Sequence, residues 1–339
     1  MSLLACLITA LCALSNATPT PTFKGPAGDG QHLAEKRSLV RVTDVATLGY
    51  ATLNGGRTSG GSGGNATTTV STLPQFTAAV NEKNNASLVV IVNGTIRGDT
   101  KVRIGSNKTI IGLPGAGFIG VGLHFRNQKN LIIRNIKSSF VTSKNGDGLT
   151  IEKSTNVWVD HCEFHSSLSS DKDYYDGLVD ITHGSDFITI SNTYFHDHWK
   201  TSLVGHSDKA NADDTGHLRV TYANNRWNNC NSRGPSVRFG TVHIFNSFYE
   251  NMHSAINTRM GAQVLIESTV FKNVSVPITS QDSSSVGYAT LRDNDLGGGV
   301  NKAPAGKITS TLIPYNYTLL GSGKVAGSVR PAAGATLTF

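Results

Sequence analysis

The sequence predicts an all-β chain, a single-stranded parallel β-helix whose loops wall a substrate groove. Three observations predict it. Apolar, β-branched strand cores recur at a minimal spacing of 22 residues. A column of mostly Asn stands four residues after the core starts, and a column of aromatics three residues further on.

The cores are Thr109-Ile110-Ile111, Leu131-Ile132-Ile133, Val157-Trp158-Val159, Ile188-Thr189-Ile190, Val220-Thr221-Tyr222, Val242-His243-Ile244 and Val264-Leu265-Ile266. Their starts are 22, 26, 31, 32, 22 and 22 residues apart. Self-similarity with a minimal period of this size is the mark of a stacked solenoid. β-Branched cores separated by Gly, Asn, Ser and Asp read as strands. No stretch carries a sustained helical period.

The first column is Asn135, His161, Asn192, Asn224 and Asn246. Asn tolerates the left-handed backbone of a tight turn, and stacked Asn amides are expected to hydrogen-bond from turn to turn. The second is Phe164, Phe195, Trp227, Tyr249 and Phe271, expected as an aromatic stack inside the coil. A third strand column follows the aromatics, running through Gly148–Ile151, Gly177–Ile181, Lys200–Val204, Arg233–Phe239 and Ser254–Asn257. The two long spacings hold insertions, Ser166–Tyr175 and Ser207–Gly216, and long loops on one face of a solenoid commonly wall a groove.

The N-terminus reads as a secretory signal at 1–17, followed by a Pro/Gly-rich pro-segment at 18–37 that ends in the dibasic Lys36-Arg37. The β-helix domain is then 38–339. No second apolar run of about 20 residues exists, so no membrane span is expected. Six sequons after Arg37 (Asn65, Asn85, Asn93, Asn107, Asn273 and Asn316) fit a secreted glycoprotein. Cys162 and Cys230 remain after the signal; they sit two coils apart, beyond comfortable disulfide reach unless a loop intervenes. The formal charge of +7 falls to +6 without residues 1–37. A basic secreted chain attracts anionic partners. Basic runs interleaved with aromatics are lacking, which argues against nucleic acid and for an acidic polysaccharide. Gly55–Gly64 reads as a flexible loop and lacks the context of a phosphate loop.

Six charged residues fall on successive coils: Asp147, Asp176, Asp180, Lys200, Arg233 and Arg238. Strands about 4.8 Å apart bring them into one cluster. Three carboxylates on adjacent coils suit a hard cation such as Ca²⁺, which takes six to eight oxygens. Solvated Asp-Gly turns are the plainer reading of Asp147 and Asp176, though not of Asp180, which lies within a strand. Lys200 alone would pass as a surface charge. Arg233 and Arg238 suit carboxylates, because guanidinium forks match them. A metal pair at His196 and His198 is disfavoured because no Cys partner lies nearby. Asp160-His161 invites a general-base reading, but His161 occupies an Asn-column slot and is expected to be structural.

Four motifs taken together carry a family resemblance: Val157-Trp-Val-Asp-His161, Asp176-Gly-Leu-Val-Asp180, Lys200-Thr-Ser-Leu203 and Arg233-Gly-Pro-Ser-Val-Arg238-Phe-Gly240. In order and spacing they resemble the extracellular pectate lyases, right-handed parallel β-helix enzymes that degrade plant cell-wall pectin. The resemblance implies calcium held by Asp147, Asp176 and Asp180, substrate carboxylates bound by Lys200 and Arg238, and Arg233 as the base. Asn145 stands where many members carry a further Asp, so it is a neutral oxygen donor at most. The implied reaction is β-elimination on α-1,4-linked polygalacturonate, at alkaline pH, by a secreted monomer whose partner is the polymer. Three alternatives remain: a calcium-independent pectin lyase on methyl-esterified polymer, a hydrolytic polygalacturonase, and a non-catalytic glycan-binding β-helix. Retention of the acids and both arginines disfavours all three.

Overall fold

The computed structural model describes residues 40–339. The signal and pro-segment expected at 1–37 therefore lie outside the described residues. The chain winds as a parallel β-solenoid. Its first wall is a sheet of ten strands, running from Thr67–Val70 to Tyr288–Arg292, each hydrogen-bonded in parallel to the next turn. The second and third walls are joined into one sheet. Long strands such as Thr95–Arg103, Gly117–Arg126, Phe248–Arg259 and Val270–Thr279 run round the corner between them.

The register matches the sequence columns with one shift. Leu131, Val157, Ile188, Val220, Val242 and Val264 stand in one row. At the preceding turn the row continues with Lys108, not Thr109. Lys108 is fully buried, and its ammonium donates to the carbonyls of Asn84, Ala86 and Ser106 at 2.7, 2.7 and 2.9 Å. A buried ammonium is tolerated when its donors are used this way, and that is why a charged residue stands in an apolar row.

The aromatic column is the core of the coil. Phe164, Phe195, Trp227, Tyr249 and Phe271 pair turn by turn, with ring centroids 5.8, 4.2, 5.5 and 4.8 Å apart and planes within 19° of parallel. The Asn column also holds at the backbone: Asn135, His161, Asn192, Asn224 and Asn246 all have φ between +47° and +58°. The expected amide ladder forms at one step, where Asn246 donates to Asn224 at 3.1 Å. His161 interrupts it. Asn192 turns to Asp160 and Asn135 to the Gly112 carbonyl instead.

Gly55–Gly64 departs from its expected flexibility at its second half. Gly60–Gly63 forms a 3-10 turn pressed onto the first wall. A Cβ on Gly60 would meet the Thr109 hydroxyl at 2.2 Å, and one on Gly61 the Leu88 carbonyl at 2.1 Å. The glycines are there for close approach. One helix closes the N-terminal end of the coil and another lies along its outer side. Leu73–Ala79, closed by a Thr72/Gln75 capping box, lays Phe76 against Phe118. Ser322–Ala332 lays Val325 and Val329 on Phe248 and Val270. No described helix is long and apolar enough to cross a membrane. Cys162 and Cys230 are buried free thiols.

His161 is structural. Its Nδ1 meets Asp160 Oδ2 at 2.8 Å, and the same oxygen accepts from Arg134 Nε at 3.0 Å. Ser191 and Asn192 donate to the other oxygen. Burial alone would raise the Asp160 carboxyl, but His161 and Arg134 outweigh it and hold the group at about 2 against an ordinary 3.8. A folded-state value below the unfolded one stabilises above the unfolded pKa. That stability is complete above about pH 4 and is lost as pH falls through 2, amounting to about 2 kcal/mol. Asp160→Asn leaves Arg134 with Asp44, at 3.1 Å, as its one carboxylate partner among the described residues, and is expected to cost about 3 kcal/mol at neutral pH in urea unfolding. The gap to wild type narrows as pH approaches 2; an equal gap at both pH values would show that the carboxylate charge contributes nothing.

Candidate active site

The site forms where the second wall turns into the third. Asp147, Asp176 and Asp180 come from two adjacent turns, Lys200 from the next and Arg233 and Arg238 from the one after. The three acids feel one another's charge, Lys200 touches Asp176 and the Arg233 charge reaches Asp180, whereas Arg238 lies further along its strand, against Asp208 and in register with Arg259. Asp180 sits on the strand Val179–Thr182, in register with Thr150 on one side and Leu203 on the other. Its Oδ1 accepts the Leu203 amide at 3.1 Å. Asp147 Oδ1 accepts the Gly177 amide at 2.9 Å, and Oδ2 accepts the Thr150 hydroxyl at 2.6 Å. Asp147 and Asp180 are buried, whereas the Asp176 side chain is about half exposed.

Burial pushes both buried carboxyls up, Asp180 most strongly. Asp147 adds to the rise at Asp180, Asp176 adds at both, and the Arg233 charge opposes it at Asp180. Gly177 fills the space between them. A Cβ there would lie 2.5 Å from Asp180 Oδ1 and 2.8 Å from Asp147 Oδ1. Two buried, mutually repelling carboxylates facing a gap that only glycine leaves open fit a hard cation. Asn145 is buried beside them, but its amide Nδ2 donates to Asp99 at 2.6 Å and Thr142 at 3.4 Å. That orientation leaves its carbonyl oxygen as the only group it can offer an ion.

The cations are held by the two insertions. Lys200 Nζ contacts Asp173 at 2.9 Å and Asp176 at 3.2 Å. Asp173 belongs to the first insertion, and Lys172 first, then Lys200, lower its carboxyl to about 2. Arg238 Nε donates to Asp208 of the second insertion at 2.6 Å, and its NH1 to the Gly205 carbonyl at 3.0 Å. Asp208 is fixed in turn by the Ser283 hydroxyl and the Ser284 amide, each at 2.8 Å. Arg233 differs: among the described residues it has no carboxylate partner within salt-bridge distance. Its φ of +61° is left-handed, an uncommon state for a side chain of this size. Adjacent turns hold it there, since its carbonyl accepts Ser202 N at 2.8 Å and the next amide, of Gly234, donates to Ala255 O at 2.7 Å.

His198 and His196 do not form a pair. Asp197 between them has φ +51°, which breaks strand alternation. His198 turns inward, hydrogen-bonded to Ser166 and, through Nε2, to the Asp176 carbonyl at 2.8 Å; it thereby ties both ends of the first insertion. Sequence reasoning missed Gly177, Asp99, Asp173, Asp208, His198 and Arg259. Arg259 is in register with Arg238, and burial first, then Arg238 and Arg233, lower its guanidinium to about 10. Column arithmetic one turn beyond Arg238 could have found it. Asp173 and Asp208 carried no such signal, because insertions have no register.

Residues 33–335 match the family described as pectate lyase. The chain belongs to the pectate lyase family. It is 55% identical over 267 residues to pectate lyase B of Colletotrichum gloeosporioides, covering 78% of this chain and 80% of that one. With pectate lyase plyB of Emericella nidulans identity is 45% over 330 residues, 96% of this chain and 98% of the relative. Among solved structures, a pectate lyase of Bacillus sp. N165 in complex with trigalacturonate superposes with a TM-score of 0.75 at 33% identity, covering 85% of this chain and 98% of that one. Pectate lyase II of Xanthomonas campestris pv. campestris also gives 0.75, at 27% identity, covering 86% and 98%. Pectate cleavage by a lyase is thus the activity of this chain, and pectate lyases are generally calcium-dependent.

Two variants test the geometry. Gly177→Ala places a methyl between Asp147 and Asp180 and is expected to weaken calcium activation by at least about tenfold with the fold intact by circular dichroism. Unchanged calcium dependence would place the ion elsewhere. Asp208→Asn loosens Arg238 and is expected to raise KM for polygalacturonate several-fold with a smaller change in kcat. A change in kcat alone would remove Arg238 from substrate binding.

Proposed function

We propose that this chain is a secreted pectate lyase that cleaves α-1,4-polygalacturonate by calcium-assisted β-elimination, with Arg233 as the base. The observation that carries this reading is that Arg233, alone of the three cations expected at the site, has no carboxylate partner among the described residues, yet stands close enough to Asp180 to be felt there.

Asp147, Asp176 and Asp180 would hold Ca²⁺, with Asn145 a neutral donor through its carbonyl. Bound there, the ion supplies Lewis acidity that stabilises negative charge on a galacturonate carboxylate. Lys200 and Arg238 grip carboxylates along the polymer. Asp173 and Asp208 hold the two cations in place without using all of their donors, which leaves donors free for substrate carboxylates. Arg233 takes the proton from C5. The C5–H electrons form the C4=C5 bond, and the C4–O4 bond breaks toward the leaving sugar. No water is consumed. The product has an unsaturated non-reducing end.

A guanidinium must be neutral to accept a proton, so turnover is expected to rise into the alkaline range. The test follows ultraviolet absorbance of the unsaturated product on polygalacturonate. Wild type is expected to give a rise that EGTA abolishes and calcium restores, and that is larger at pH 9 than at pH 5. Arg233→Lys is expected to lose about 10²–10⁴ in kcat with KM little changed. Full activity in EGTA would favour action on methyl-esterified pectin. Full activity of Arg233→Lys would remove Arg233 as the base.

A further inference from the structure

We propose that Glu163, His165 and His196, on the outer face of the second wall, form a second metal site for a Zn²⁺-class transition ion, separate from the acids of the groove. Glu163 and His165 lie on the strand Glu163–His165, and His196 pairs with His165 on the next turn. One donor atom from each lies within 4.8 Å of the other two. Two imidazoles and a carboxylate are the donor set of many zinc centres and a poor one for Ca²⁺, which takes oxygens.

The hydrogen bonding of His196 points the same way. Its Nδ1 meets Asp197 Oδ2 at 2.7 Å. A carboxylate there favours a proton on Nδ1, the arrangement found behind metal-bound histidines. With the proton on Nδ1, the lone pair of Nε2 faces Glu163. That nitrogen is buried without a hydrogen-bond partner, and the nearest acceptor, Glu163 Oε1, stands 3.5 Å away. That pair is satisfied either by a proton on Nε2, which the His196 contact that lowers the Glu163 carboxyl to about 2 supplies, or by a bound cation that replaces the proton. Glu163 can supply that oxygen without losing its other contact, because Oε2 is the atom paired with Lys137 at 3.1 Å.

The rings of His165 and His196 stack at 4.6 Å with planes 13° apart. Binding requires them to tilt until the donors are about 3.3 Å apart, as Zn–N distances near 2.0–2.1 Å demand. A fourth position stays open to water. His165 immediately precedes the insertion Ser166–Tyr175, which ends at Asp176. The ion would staple two turns at the root of that loop.

The test uses the full secreted chain with Ca²⁺ in excess, so that the groove acids are occupied, and titrates Zn²⁺ alone by calorimetry. One Zn²⁺ per chain is expected, with the unfolding midpoint raised about 4 °C at a hundredfold excess over Kd. Co²⁺ in its place is expected to give the visible spectrum of a tetrahedral nitrogen–oxygen site. Glu163→Gln and His196→Asn are each expected to weaken Zn²⁺ binding at least tenfold. Asp197→Asn is expected to weaken it about tenfold through the tautomer. Asp180→Asn is expected to leave it unchanged. Equal affinity in Glu163→Gln and wild type, or loss of the Zn²⁺ response in Asp180→Asn alone, overturns the proposal.

Discussion

Everything in this protein depends on parallel strands staying in register from one turn to the next. Each turn hydrogen-bonds to its neighbours on both sides, so a residue's row is fixed by backbone pairing and not by its own chemistry. The aromatic stack is the clearest consequence: five rings from five turns lie nearly parallel because their Cα atoms are paired. Lys108 shows the strength of the constraint. Pairing places it in an apolar row, and the fold answers its ammonium with three carbonyls rather than slipping the strand. A slip of one residue would turn every core side chain of that strand outward.

The same register produces the electrostatics of the groove. Acids on two turns are followed by cations on the next two, so opposite charges face each other along the coil axis. The buried acids repel each other across Gly177, the half-exposed Asp176 adds to that repulsion at both, and Arg233 opposes it at Asp180. The insertions then temper the cations. Asp173 and Asp208 hold Lys200 and Arg238 in place and leave Arg233 unpaired. A rigid ladder supplies the reacting geometry, and two loops supply its counterions.

How much of this was legible in the sequence follows from the same division. Residues on the ladder were readable, because a period plus an alternating pattern fixes a position in space: the aromatic stack, the left-handed Asn turns and the six charged site residues all lie where the columns put them. What escaped lay off the ladder or broke its rules. Asp173 and Asp208 sit in insertions, where no period operates. Thr109 was placed one residue out because Lys108 does not look like a core residue. The Gly60–Gly63 turn was read from composition as flexible, whereas contact with the first wall makes small residues necessary there.

Gly177 illustrates a subtler limit. In sequence it is the second half of an Asp-Gly pair, and turn chemistry accounts for such pairs without reference to function. In the structure its meaning is steric. Its amide binds Asp147, and its missing side chain leaves the gap that Asp147 and Asp180 face. The two acids could be found by their charge, but the space between them could not, because an absent side chain is visible only once its neighbours are placed. A metal cradle therefore has two halves, ligands and vacancy. Sequence periodicity locates the first, and only register across two adjacent turns reveals the second.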